Sequence, residues 1–281
     1  MKAGELTDPA VELVFEDVEP IHRAFAPMAR RQVYDVSELA IVTYLQAKAY
    51  GKPVVLLPAV VAARLQQGCI IYNATRGKLD VASLVGKRVG VRSYSQTTGM
   101  WVRAILEQDY GVPIDRIEWV TFDDAHLEEY RDPPFAHRAE PGKQLLPMLR
   151  AGELDAAILG NDLPDDPEFK PLIADAAAAD RAWYGTHGYV PVNHVVVVTK
   201  TLADTHPEAV RAVYELLRRG KASAAAGNTG QPDKLLFGYE ALRGPLQETI
   251  AFCERQQLLP RKLTVDEIFA DSLDVLGDAA R

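Results

Sequence analysis

Short β-branched runs recur along this chain between longer stretches of helical period, the pattern of parallel sheets covered by helices rather than of a sandwich or a bundle. The class this predicts is α/β. Strands are expected at residues 11–15, at 54–57 with the apolar 59–63 segment, and at 69–72, 88–91, 117–121, 155–159 and 192–199. Helices are expected over 19–31, 100–110 and 144–151, with a strand end at 34–37 opening into a helix that Gly51 stops. Residues 75–87 read as a polar connection with a short helix, and 123–143 is too rich in charge, Pro and His for an assignment. From Leu202 onward the pattern is almost entirely helical. These elements suit two lobes: residues 1–79 plus 192–281 for the first, and 80–191 for the second, with the strand at 192–199 carrying the chain back.

A chain of 281 residues holds enough apolar side chains for two such cores. Its 39 acidic and 31 basic residues leave a net charge of −8, which offers no global attraction to nucleic acid or anionic lipid. The expected partner is therefore a small anion held by local groups, and both a monomer and a homo-oligomer are compatible with that. Two cysteines, Cys69 and Cys253, cannot form a disulfide framework, and their apolar surroundings suit reduced thiols in the core. The opening MKAGELTDPAVELVF has no apolar stretch long enough for a signal-peptide core, so a cytoplasmic location is expected. The longest apolar run, 53–63, falls well short of the roughly 20 residues a membrane-crossing helix needs.

In open α/β sheets, ligands gather at the carboxyl ends of strands, where helix N-termini direct unpaired N–H groups into a crevice. Four places meet that rule. In Asp35-Val36-Ser37-Glu38 the strand gives way to a helix that Ser37 or Asp35 can cap, with Glu38 in the first turn; a helix cap and a ligand contact are both open. Ser93-Tyr94-Ser95-Gln96-Thr97-Thr98 places five hydroxyls and an amide between a strand and a helix, neutral donors suited to a carboxylate. It lacks the lysine and the glycine spacing of a phosphate loop. Arg64 closes an apolar segment, where its guanidinium should meet a carboxylate of the ligand or of the protein. His194 enters a strand that should be central; it is either a satisfied core histidine or a proton-transfer group lining the cleft. The remaining histidines, His22, His126, His137, His187 and His206, show no HxH or HExxH spacing, so no metal motif is present, and a divalent ion held by distant residues stays open.

These residues resemble the 4,5-dihydroxyphthalate decarboxylases, and behind them the wider two-lobed type II periplasmic-binding-protein-like fold with its ligand cleft between the lobes. The resemblance spans residues 30–200: the Asp35-Val36-Ser37-Glu38 segment, Arg64 ahead of Cys69-Ile70-Ile71-Tyr72, the stretch 84–91, the loop and helix through Trp101 and Leu106, and Pro191-Val192-Asn193-His194. The Gly86-Lys87-Arg88-Val89-Gly90-Val91 and Gly152-Glu153-Leu154-Asp155-Ala156 stretches are generic to the fold. The family pattern also implies a further strand and loop ahead of the segment matching Lys2-Ala3-Gly4, in the first lobe's sheet.

What the resemblance implies is cofactor-free loss of CO2 from a hydroxylated aromatic dicarboxylate. Arg64 and the 93–98 loop would hold the retained carboxylate, His194 would move the proton, and Glu38 or Asp35 would orient the imidazole or act as base. Two other functions share the scaffold: a solute-binding protein of an ABC importer, which needs export, and a cofactor-free enzyme of the chorismate-dehydratase kind.

Overall fold

The computed structural model describes residues 4–160, 163–225 and 233–281. In chain order the elements are α1 (Phe25–Arg31), β1 (Val36–Ala40), α2 (Ile41–Ala49), β2 (Val54–Ala63), β3 (Ile70–Asn73), β4 (Arg88–Val91), α3 (Thr97–Gln108), β5 (Glu118–Thr121), β6 (Ala136–Arg138), α4 (Leu145–Ala151), β7 (Ala156–Ile158), β8 (Phe169–Pro171), α5 (Ala176–His187), β9 (Val192–Thr199), α6 (Lys200–Thr205), α7 (Pro207–Ala225), α8 (Tyr239–Arg255) and α9 (Val265–Leu276). They build two sheets, one three-stranded in the order β1-β9-β2 and one six-stranded in the order β6-β5-β4-β7-β3-β8.

The first sheet is antiparallel, with β9 between β1 and β2. Its valine run is buried on both faces: Val195 and Val197 face the core that α2 helps to form, and Val196 and Val198 face the one beneath α6, α7 and α9. A strand covered on both sides reads as a continuous apolar run, which is why β9 stands out in the sequence. β2 carries Pro58, tolerable because this strand lies at the sheet edge, and the ladder to β9 is irregular between Leu57 and Ala63. There the 236–238 segment joins it, Val60 N–H donating to Leu236 O at 2.9 Å and Gly238 N–H to Pro58 O at 2.9 Å.

The second sheet is parallel through β6, β5, β4 and β7, while β3 runs antiparallel to both β7 and β8. α3 packs on one face, and α4 covers the other through Met148 and Leu149. Gly90 in β4 lets the α4 side approach: a Cβ there would stand 2.6 Å from Leu154 Cδ1 and 3.4 Å from Leu145 Cγ.

Several expectations need correction. β3, which lies in the segment 1–79 expected to open the first lobe, pairs within the six-stranded sheet; an apolar run marks a strand without saying which sheet pairs with it. Residues 11–15 form no strand. Only an isolated Asp8–Val11 bridge is present, and Val14 and Phe15 are exposed, with no neighbouring strand to take up the backbone groups. β1 runs through Glu38 to Ala40, and α2 starts after it with no side-chain cap. Pairing with β9 has overridden the local capping signal. Two short strands, β6 and β8, and the helix α5 over the alanine-rich stretch complete the list. Lys2 and Ala3 lie outside the described residues. Cys69 and Cys253 are both buried free thiols. Among the described residues no helix is long and apolar enough to cross a membrane.

Replacing Gly90 by Val should lower the unfolding free energy by about 1–3 kcal/mol through overpacking against Leu154 and Leu145. Urea unfolding of G90V beside the parent protein checks this.

Candidate active site

A cavity of about 1150 Å³ lies where the carboxyl ends of β1, β2, β4 and β7 meet the amino end of the antiparallel strand β9. Among the described residues its lining carries the cations Arg64, Arg92, Lys221 and Lys234 against one carboxylate, Asp233. Among the described residues this acidic chain thus gathers more cations than carboxylates on the cavity lining. Arg92 and Lys221 also have protein partners, Asp123 at 3.5 Å and Asp233 at 2.7 Å.

His194 reaches this cavity through the register of the first sheet. It stands opposite Ala40 on one side and Ala62 on the other, while Glu38 stands opposite Val196. Residues two apart on paired strands share a face, so Glu38 is the diagonal neighbour of His194. His194 Nδ1 lies 2.5 Å from Glu38 Oε1. A carboxylate only accepts, so Nδ1 carries the proton, and Nε2 is left as base in the neutral ring and as N–H acid in the protonated one. Phe25 packs edge-on against the imidazole, centroids 5.1 Å apart. Glu38 is behind the lining, touching His194 rather than the cavity.

Asp35 and Ser37, expected at the site, lie outside the cavity lining. Asp35 is exposed and outside the lining, and its carbonyl accepts from Thr199 N–H at 3.0 Å; the Ser37 hydroxyl donates to Glu38 O at 2.8 Å. Because β1 extends to Ala40, neither residue caps a helix or faces the cleft.

Arg64 follows β2 directly, and its guanidinium donates to the Thr98 hydroxyl at the start of α3. Gly160, just beyond β7, makes room for it: a Cβ there would come 3.0 Å from the Arg64 Nη2. Asn161 and Asp162, next in that loop, lie outside the described residues. The 93–98 segment divides. Ser95, Gln96, Thr97 and Thr98 line the cavity, and Gln96 Oε1 is buried with no partner among the described residues. Ser93 is buried outside the lining, its hydroxyl 3.2 Å from that of Ser95. Tyr94 turns into the core, its ring 3.8 Å beneath the Arg103 guanidinium carbon and edge-on to Trp119 and Phe135. It is a floor residue and not a ligand contact.

The sequence reading missed His126, Thr43 and Arg92. His126 lines the cavity from an irregular segment five residues beyond β5, with Nδ1 2.7 Å from the Thr43 hydroxyl on α2. Arg30 of α1 fixes the segment by donating to His126 O at 2.6 Å and Ala125 O at 3.0 Å and by pairing with Glu128 at 2.8 Å. Burial first, then the neighbouring Arg92, His22, Arg30 and His194, hold the His126 imidazole down at about 4 from its ordinary 6.5. Its position beyond the carboxyl end of a strand was the one signal that pointed to it.

No family model matches the chain. It is 30% identical over 243 residues to the 4,5-dihydroxyphthalate decarboxylase of Comamonas testosteroni, covering 79% of this chain and 70% of that one. It is 31% identical over 202 residues to the 4,5-dihydroxyphthalate decarboxylase of Pseudomonas putida, covering 66% and 76%. The chain belongs to the 4,5-dihydroxyphthalate decarboxylase family. Among solved structures it is similar to the alkanesulfonate-binding protein SsuA of Xanthomonas axonopodis pv. citri bound to MOPS, with TM-score 0.53, 14% identity, and 86% and 82% of the two chains covered. A DSZB mutant in complex with biphenyl-2-sulfinic acid gives TM-score 0.52, 16% identity and 88% of each chain. At those identities the likeness is one of fold, the two-lobed periplasmic-binding-protein type. Of the positions on which the decarboxylase resemblance was drawn, the fold gathers Arg64 and His194 in one cavity with Glu38 behind, and leaves Asp35 outside. Among the described residues no group of three or more His, Cys, Asp or Glu side chains is arranged to hold a metal ion.

The depressed His126 has a consequence for stability. Between its folded value near 4 and 6.5 the unfolded chain binds the extra proton, so this residue's stabilisation is present above about pH 6.5 and is lost as the pH falls toward 4. Thermal unfolding midpoints over pH 4–7 should therefore fall more steeply with acidification in the parent protein than in H126Q.

Proposed function

We propose that this protein is a carboxy-lyase that removes one carboxylate of a hydroxylated aromatic dicarboxylate as CO2, converting 4,5-dihydroxyphthalate to protocatechuate without a cofactor. The observation that carries this reading is the convergence of a carboxylate-backed imidazole, Glu38–His194, and a guanidinium braced by a hydroxyl, Arg64–Thr98, on one cationic cavity. The identity to two named decarboxylases supports the same reaction class.

The chemistry follows from the substrate. A ring hydroxyl para to the departing carboxylate can lose its proton and push electron density to the carbon bearing that carboxylate. That carbon accepts a proton and becomes tetrahedral. The bond to the carboxylate then breaks, its electron pair returns the ring to aromaticity, CO2 leaves, and the phenolate recovers its proton. Over the cycle one proton replaces one CO2. Arg64 and the hydroxyls of Ser95, Thr97 and Thr98 suit the retained carboxylate, by charge-assisted hydrogen bonds and the amino end of α3. His194 Nε2–H suits the proton delivery, with Glu38 orienting the ring and balancing its charge when protonated. Closure of the cleft around the ring would remove water from the departing carboxylate and favour its loss as a neutral molecule. The reading has the enzyme acting in the cytoplasm on a small anionic aromatic substrate, with neither nucleic acid nor membrane as partner.

A binding protein would share the fold, and fold alone does not separate the two. The separating experiment follows CO2 release and the ultraviolet change to protocatechuate, with and without chelator. Product is expected in both samples; a protein that is stabilised by 4,5-dihydroxyphthalate yet yields none would be a binder. H194A is expected to lower kcat by about 10²- to 10⁴-fold, the range of a lost general acid. R64Q is expected to lower kcat/KM by about 10- to 100-fold through loss of a charge-assisted contact. Steady-state kinetics on the two variants measures both.

A further inference from the structure

The cavity holds a second imidazole whose surroundings differ in kind from those of His194. His126 Nδ1 is held by a neutral hydroxyl, that of buried Thr43, where His194 Nδ1 is held by a carboxylate. Phe25 stands between the two rings, edge-on to His126 at 5.7 Å and to His194 at 5.1 Å, so both imidazoles are fixed against one buried wedge. The backbone of the His126 segment is clamped to α1 by Arg30 at two carbonyls, which preorganises the ring without any ligand.

With Nδ1 engaged, Nε2 is the nitrogen left for a ligand. We propose that His126, set by Thr43, is the residue that hydrogen-bonds a ring hydroxyl of the substrate and makes the site prefer hydroxylated aromatic dicarboxylates to plain ones. The proposal rests on the decarboxylase reading of this cavity and deepens it. A neutral imidazole offers at Nε2 one donor or one acceptor according to tautomer, and a hydroxyl complements either. A carboxylate complements only the donor form and gains no charge from it, while the guanidinium of Arg64 supplies both charge and a forked donor set. Burial, and after it Arg92 and Arg30, raise the cost of a positive charge on His126, so the ring stays neutral in a cavity whose cations attract anions. The lining is thereby divided between groups that take carboxylates and one that takes a hydroxyl. Thr43 is a positioning residue: its hydroxyl engages Nδ1 and fixes the ring plane, which leaves Nε2 toward the cavity.

The test compares 4,5-dihydroxyphthalate as substrate with phthalate, which has no ring hydroxyl, as competitive inhibitor, in the parent protein, H126L, H126Q and T43V. A site that hydrogen-bonds a hydroxyl loses its preference when the protein group is removed, by about tenfold or more. The expected result is a fall of at least about tenfold in kcat/KM for dihydroxyphthalate in H126L with the phthalate inhibition constant changed less than about twofold, a partial recovery in H126Q, and a smaller loss in the same direction in T43V. Equal weakening of both ligands, or no change in either, overturns the proposal. Should H126L fail to fold by circular dichroism, H126Q and T43V decide alone: an unchanged ratio in both overturns it. A parent protein that neither converts nor binds dihydroxyphthalate overturns the decarboxylase reading itself, an outcome distinct from a working enzyme whose selectivity ignores His126.

Discussion

The position of β9 between β1 and β2 is the constraint on which the site depends. Its register places His194 opposite Ala40 and Ala62, two residues small enough to leave room for an imidazole between strands. The same register puts Glu38 one diagonal step away, close enough for the 2.5 Å contact. A slip of one residue would turn the imidazole to the opposite face and its valines with it, so the burial of Val195 to Val198 on both sides and the placement of residue 194 in the cavity are set by one choice. The amino end of the strand also anchors what surrounds it. Trp101 Nε1 donates to Val192 O at 2.8 Å, and Gln66 Nε2 donates to Asn193 Oδ1 at 2.9 Å and to Arg64 O at 3.1 Å. The main chain of Arg64 is thus tied to the strand that carries His194.

α3 then connects the sheets. Its first turn meets Arg64 through Thr98, its middle meets β9 through Trp101, and its inner face carries Arg103, fully buried. That guanidinium donates to Gln256 Oε1 at 2.8 Å beyond α8 and to Tyr94 O at 2.6 Å, and it lies on the Tyr94 ring. Burying a charge without a close carboxylate costs free energy, and burial pushes its pKa downward; the aromatic face and the two acceptors offset part of that cost. In return the loop from residue 93 to 98 is fixed from below, so that Ser95, Thr97 and Thr98 line the cleft from a packed base. Tyr94 makes the neighbouring donors usable by not being one of them.

How much of this was legible in the sequence differs by residue, for physical reasons. The valine run of β9, the histidine at its start and the arginine closing β2 were legible because each breaks an apolar pattern at a place where a strand must end or begin. The 93–98 segment was legible as a set of donors but not as two populations, since only packing decides which side chain turns to Arg103 and which to the cavity. Asp35 and Ser37 misled because a capping pattern is local, while the pairing of β1 with β9 joins residues about 160 positions apart and takes precedence. β3 was legible as a strand, yet nothing in Ile70-Ile71-Tyr72 says that its partners are β7 and β8. His126 was least legible: it is held by an arginine 96 residues earlier and a threonine 83 residues earlier, in a segment with no periodicity.

The two imidazoles show why residue type alone underdetermines a site. Both line one cavity, both pack on Phe25, and both use Nδ1 for a protein partner. Their difference lies in that partner. Behind His194 stands the Glu38 carboxylate, which engages Nδ1 on a strand whose register sets where the ring lies. Around His126, burial first and then the nearby guanidinium groups make the protonated ring a costly state, with a hydroxyl rather than a carboxylate at Nδ1. Two identical side chains in one cavity thus stand in different surroundings, a carboxylate behind one and a hydroxyl behind the other, and residue type alone does not distinguish them.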